Sequence, residues 1–94
     1  MLTGDKPSVD LSIVVPVYNA EQTIAALTRQ LIDAYHHRGP MQIVLVNDGS
    51  RDRSHEVCLQ LAEKFPDMVS YLRLAKNFGE HNAVMAGLRH TLGA

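Results

Sequence analysis

Three times along this chain a short, β-branched apolar run is followed by a polar loop and then by apolar residues at helical spacing. The first run is too short for a helix and too apolar for an edge, so it reads as a buried strand, and the other two read as strands that follow it. The first covers 11–16 and contains Ile13, Val14 and Val15; the second covers 42–47; the third covers 69–74. Between them, Ile24, Leu27, Leu31 and Tyr35 form one stripe that ends at Gly39 and Pro40, which predicts a helix over 20–37. Val57, Leu61 and Phe65 predict a second helix over 53–65, closed by Pro66 and Asp67. A third helix over 80–92 is expected to bury Val84 and Leu88. Asn19 with Gln22 three residues on has the spacing of a capping box at the first helix.

A strand-helix alternation repeated three times is the pattern of an α/β fold, a parallel sheet with crossover helices. Right-handed crossovers then leave few topologies. The chain divides into an N-terminal tail at 1–10 and one folded part at 11–94, with no internal repeat. Three parallel strands without a fourth leave a sheet edge and one face uncovered, so the ending at Gly93 and Ala94 reads as a truncation. Exposed sheet surface of that kind favours self-association.

With 94 residues, 46% of them hydrophobic, and a net charge of -1, the balance implies neither an acidic nor a basic macromolecular partner. The longest apolar runs fall far short of the roughly 20 residues that span a bilayer. Met1 to Asp10 has no apolar core of the secretory type, so a cytoplasmic location is expected. The lone Cys58 cannot form an internal disulfide and lies on the apolar side of its predicted helix, where it reads as a small buried hydrophobe. The five histidines do not pair into a zinc site: His36 and His37 diverge on a helix, and His55, His81 and His90 lack a ligand partner four residues on.

In open parallel sheets, ligands bind beyond the carboxyl ends of the strands. Three segments occupy those places here: Val17 to Glu21, Asn47 to Asp52, and Lys76 to Gly79. Asp48 directly follows an apolar strand, where a carboxylate can accept hydrogen bonds from a nucleobase N–H or ribose hydroxyls, and Gly49 lets the chain turn away. Asp48 and Ser50 are equally types that cap a following helix, and the two roles are compatible. Tyr18 can stack on a base, Asn19 is accounted for as an N-cap, and Lys76 either meets a diphosphate or is simply solvated. No P-loop, Gly-x-Gly-x-x-Gly fingerprint or Ser-His-Asp set is present. The loop after the first strand has no glycine with which to approach a pyrophosphate in the Rossmann manner.

Taken together, the segments at 11–21, 43–52 and 76–87 resemble the successive signatures of family 2 inverting glycosyltransferases. The Asn77-Phe78-Gly79 block followed by a small-residue helix is similar to the branch that loads sugars onto polyprenyl or dolichyl phosphate. The resemblance covers roughly 11–88 and implies a Rossmann-like, three-layer glycosyltransferase A-type fold, of which this chain is the nucleotide-sugar-binding front part. It implies that Pro16, Tyr18 and Glu21 line the nucleotide pocket and that Asp48 bonds the base. Lys76 and Gly79 lie near the ribose and diphosphate on the same ground. Asn47 stands where many members carry an aspartate. The family's Asp-x-Asp motif, which holds Mg2+ or Mn2+ against the sugar diphosphate, and its general base fall beyond residue 94. The 94-residue chain alone is therefore expected to be inactive, with no catalytic or metal-ligating residue of its own. The longer parent is expected to transfer a sugar from a UDP- or GDP-type donor to a polyprenyl phosphate or glycan, at the inner face of a membrane. Two other readings of the residues stay open: a non-catalytic nucleotide-binding or interaction module, and a signalling receiver built around Asp48.

Overall fold

The computed structural model describes residues 11–74 and 79–91. In chain order the elements are β1 (Leu11–Val17), α1 (Ile24–Tyr35), a 3-10 turn at His36–Arg38, β2 (Met41–Asn47), α2 (Ser54–Lys64), β3 (Val69–Arg73) and α3 (Glu80–Thr91). The strands form one parallel sheet in the order β1-β2-β3. Leu11 pairs with Met41 and Val17 with Asn47 across the first ladder, and Ile43 pairs with Val69 across the second. Both crossovers step in the same direction, so the right-handed rule puts α1 and α2 on one face.

Period-two alternation along the strands sorts their side chains between two cores. Val17, Ile43, Leu45 and Val69 pack with Ile24 and Ile32 of α1 and Cys58 and Leu61 of α2. On the opposite face, Val44 and Val46 pack with Ala83 of α3, flanked by Val14, Leu72, Leu74 and Ala86. β2 is therefore buried on both sides, as its unbroken apolar run requires. The face that three strands were expected to leave open is covered by α3 over β1 and β2.

Three sequence expectations change at the helices. Along α1 the buried positions are Ile24, Thr28 and Ile32, while Leu27 of the expected stripe is 40% exposed. α1 starts at Ile24, not at residue 20, and its N-cap is Thr23 with no side-chain cap hydrogen bond. The capping box at Asn19 and Gln22 does not form. Asn19 instead takes a left-handed backbone conformation, φ 50°, and its side chain is used across the crevice by another loop. In α3 the buried positions are Ala83 and Gly87, while Val84 is half-buried and Leu88 is 42% exposed. The helix lies too close to the sheet for large side chains at the contact. A Cβ on Gly87 would collide with Cγ1 of Val14 and stand 3.1 Å from Cγ2 of Val46. Cys58 is fully buried in the first core, and burial raises its thiol pKa to about 12, which fits a packing role.

The packing yields two stability predictions. Gly87→Ala gains about 1 kcal/mol of helix propensity but forces stiff, β-branched valines to move, an overpacking cost of about 1–3 kcal/mol. The cost dominates, and the thermal midpoint should fall by several degrees; a rise would show that α3 is not seated this closely. Thr28 is fully buried in α1, and its hydroxyl has no hydrogen-bond partner among the described residues. Thr28→Val removes that unsatisfied group at nearly constant shape and should stabilise the chain by about 1 kcal/mol in denaturant unfolding.

Candidate functional site

The carboxyl ends of β1 and β2 deliver two loops side by side, and their backbone groups need partners that no ladder provides. The second loop supplies them with side chains two residues apart. Asn19 N–H donates to Ser50 Oγ (3.0 Å), Ala20 N–H to Ser54 Oγ (2.8 Å) and Glu21 N–H to Asp52 Oδ2 (3.1 Å). In return, Arg51 N–H donates to Asn19 Oδ1 (2.8 Å). Asp52 Oδ1 also accepts from Ser54 N–H (2.9 Å) and Ser54 Oγ–H (2.6 Å), which ties the clasp to the first turn of α2. Burial pushes the Asp52 carboxyl pKa up, but the hydrogen bonds from Ser54 and Glu21 outweigh it and hold the group below the ordinary carboxylate range.

The strand pleat separates Asn47 and Asp48. Asn47 is 1% exposed; its Oδ1 accepts Ser50 N–H (3.0 Å) and its Nδ2 donates to the Tyr71 hydroxyl of β3 (3.0 Å). Asp48 is 4% exposed, and its Oδ2 accepts the N–H of Gly79 at the entry to α3 (2.9 Å). Gly49, at φ 73°, then turns the chain with a backbone that L side chains rarely adopt. A carboxylate this buried at the end of the central strand is anchored on the α3 side of the sheet, with the first loop clasped on the α1 side.

The sequence-derived candidates are distributed as follows. Asp48 and Gly79 are brought into direct contact. Pro16 lies in β1 opposite Val46, one residue before the strand ends. Tyr18 projects at the loop with 46% of its surface exposed. Glu21 lines a polar cavity of about 260 Å³ with Asn19, Ala20, Gln22, Thr23 and Asp52. Lys76 lies outside the described residues. Asp48 is not the cap of α2: the carboxylate that bonds the first turn of that helix is Asp52. Sequence reasoning missed the roles of Asn19, Ser50, Asp52 and Ser54 as a clasp, and of Tyr71 and His55 behind Asn47. The available signal was the clustering of Ser50, Asp52 and Ser54, three side-chain acceptors within five residues around the start of α2. Among the described residues, no three His, Cys, Asp or Glu side chains gather as a metal site, and no helix is long and apolar enough to cross a membrane.

Comparison with known proteins places this geometry in context. The family model of Glycosyl transferase family 2 matches residues 12–94. The undecaprenyl-phosphate 4-deoxy-4-formamido-L-arabinose transferase of Edwardsiella ictaluri is 39% identical over 84 residues, covering 88% of this chain and 26% of that protein. Its counterpart in Pseudomonas savastanoi pv. phaseolicola is 42% identical over 84 residues, covering 88% of this chain and 25% of the relative. Among solved structures, S. aureus TarS 1-349 superposes with a TM-score of 0.67 at 27% identity, over 84% of this chain and 23% of that one. The mannosyltransferase PcManGT from Pyrobaculum calidifontis, solved with GDP-Man and Mn2+, superposes with a TM-score of 0.66 at 21% identity, over 85% of this chain and 24% of that one. The chain thus spans about a quarter of the length of the relatives it matches.

The clasp carries a pH prediction. Because the Asp52 carboxyl titrates below its ordinary value when folded, its ionised form adds stability at pH above the ordinary carboxylate pKa, about 4. That contribution is lost as pH falls below this range through the lowered value. Unfolding measured from pH 6 to 2 should show the loss in the wild type and a flatter profile in Asp52→Asn; identical profiles would remove Asp52 from the clasp.

Proposed function

Since this chain belongs to glycosyl transferase family 2, we propose that it forms the donor-nucleotide half of a longer transferase. In this reading the parent moves a sugar from a nucleoside diphosphate sugar onto a polyprenyl phosphate, working at the inner face of a membrane. The acceptor class follows from the undecaprenyl-phosphate transferases to which the chain is similar. The fold, a parallel sheet with helices on both faces that superposes on the mannosyltransferase PcManGT, puts the loops after β1 and β2 at one end of the sheet. That is where α/β sheets bind ligands.

The observation that carries the reading is Asp48: a carboxylate 4% exposed at the end of the central strand, bonded to Gly79 across the crevice. A preorganised acceptor there suits a ring N–H of uracil or guanine, with Tyr18 as a stacking surface and Pro16 and Glu21 along the first loop. Gly79 takes the ribose and diphosphate side. The family's divalent cation, Mg2+ or Mn2+, would neutralise the departing diphosphate. The described residues do not gather a set to hold it, and no step here depends on one.

Calorimetric titration with UDP and GDP tests the assignment in the full-length transferase. Asp48→Asn keeps an oxygen for the Gly79 N–H but loses the charge, and should weaken nucleotide binding about 10- to 100-fold, or about 1.5–3 kcal/mol. Its melting temperature should stay within a few degrees of wild type. Equal affinities would remove Asp48 from the ligand, and a large loss of stability would make it only the anchor of α3. The 94-residue chain by itself should show no sugar transfer from either donor class; metal-dependent turnover by the purified chain would contradict its assignment as a donor half.

A further inference from the structure

Behind the crevice, on the α1 and α2 side of the sheet, a polar chain runs from α2 to the first loop. His55 Nδ1 of α2 stands 2.8 Å from the Tyr71 hydroxyl, and Asn47 Nδ2 stands 3.0 Å from the same oxygen. Asn47 Oδ1 accepts Ser50 N–H, and Ser50 Oγ accepts Asn19 N–H, each at 3.0 Å. Asn19 belongs to the loop that also presents Tyr18 and Glu21.

Hydrogen-bond polarity fixes the sense of this chain. A backbone N–H can only donate, so the atom of Asn47 facing Ser50 must be its oxygen, and the amide nitrogen must face Tyr71. The phenolic oxygen already accepts from that nitrogen, so its own proton is directed to His55 Nδ1, which accepts. His55 is then the tautomer with its proton on Nε2. The other tautomer would leave the half-buried phenolic proton without an acceptor among the described residues. The Arg73 guanidinium, 3.5 Å from Nε2, lies at the outer limit of a hydrogen bond on the exposed side and does not compete with the 2.8 Å contact. Burial holds the Tyr71 hydroxyl above the usual tyrosine range, so it keeps the proton it donates.

We propose that Tyr71 is a positioning residue for the nucleotide donor: its hydroxyl, oriented by His55, fixes the Asn47 amide and, through Ser50 and Asn19, the register of the first loop. Tyr71 touches no ligand. The proposal rests on the donor reading of the crevice. It also gives Asn47 a reason to be an amide: an aspartate there would have no N–H for Tyr71, and the hydroxyl would have to turn away from His55 to donate to it. The tyrosine ring packs in the first core, so Tyr71→Phe keeps the packing and deletes one oxygen.

The test uses full-length enzyme, with UDP and GDP as binding probes and the donor of whichever nucleotide binds as substrate. Tyr71→Phe should raise the dissociation constant about three- to tenfold and raise KM for the donor in step, with kcat within about twofold. In the Asn47→Leu background, which removes both amide bonds, the same substitution should change binding by less than about twofold, because the route to the loop is already cut. Nitrogen-15 NMR of the His55 ring should show the Nε2–H tautomer in the wild type and lose that preference in Tyr71→Phe. Unchanged binding in Tyr71→Phe, an equal effect in both backgrounds, or an Nδ1–H tautomer in the wild type would each overturn the proposal while leaving the donor reading in place. Failure of the wild type to bind either nucleotide would overturn the donor reading, and this role with it.

Discussion

The backbone amides of residues 19, 20 and 21 leave β1 before α1 begins, and the side chains of Ser50, Asp52 and Ser54 satisfy them. The remainder of the site depends on that exchange. A loop with unpaired amides at the mouth of a crevice would need water for each of them and would hold no single register. Because the partners are side chains of the next loop, the two loops form one rigid rim, and the start of α2 is tied into it through Asp52 and Ser54. Asn19 accepts the left-handed backbone that this arrangement imposes, which asparagine tolerates better than most residues.

β2 organises both sides of the rim because it is the central strand and its last side chain and the next residue point to opposite faces. Asn47 on one face reaches Tyr71 and the second loop, and Asp48 on the other reaches Gly79. A single step along the chain thus separates a neutral amide used for internal order from a carboxylate used at the crevice. Exchanging the two types would turn the Tyr71 hydroxyl from His55 toward the new carboxylate and leave Gly79 with a weaker acceptor.

α3 reaches Asp48 only because its sheet-facing surface is small. Ala83 and Gly87 let the helix settle on Val14, Val44 and Val46, and that depth brings its first residues to the level of the strand ends. Larger residues on this stripe would lift the helix and lengthen the Asp48 to Gly79 bond, so packing far from the crevice sets the geometry within it.

The number, order and type of the elements were legible in the sequence because the apolar runs and helical stripes are local and repeat three times, and the right-handed crossover rule converts that order into a parallel sheet. The location of the candidate site was legible for the same reason, since loops after parallel strands converge. Asp48 stood out as a carboxylate directly after a buried strand. The start of α1 and the buried face of α3 were decided only by the fold. Asn19 has an intrinsic preference to cap a helix, but Ser50 and Arg51, more than thirty residues away, offer its backbone and side chain competing partners. Val84 and Leu88 carry the larger hydrophobicity, yet the distance between helix and sheet favours Ala83 and Gly87. Hydrogen bonds between loops distant in sequence and the depth of a helix on a sheet are properties of three-dimensional proximity. Residue type and spacing therefore placed the elements of this chain, and tertiary contact assigned the polar residues their partners.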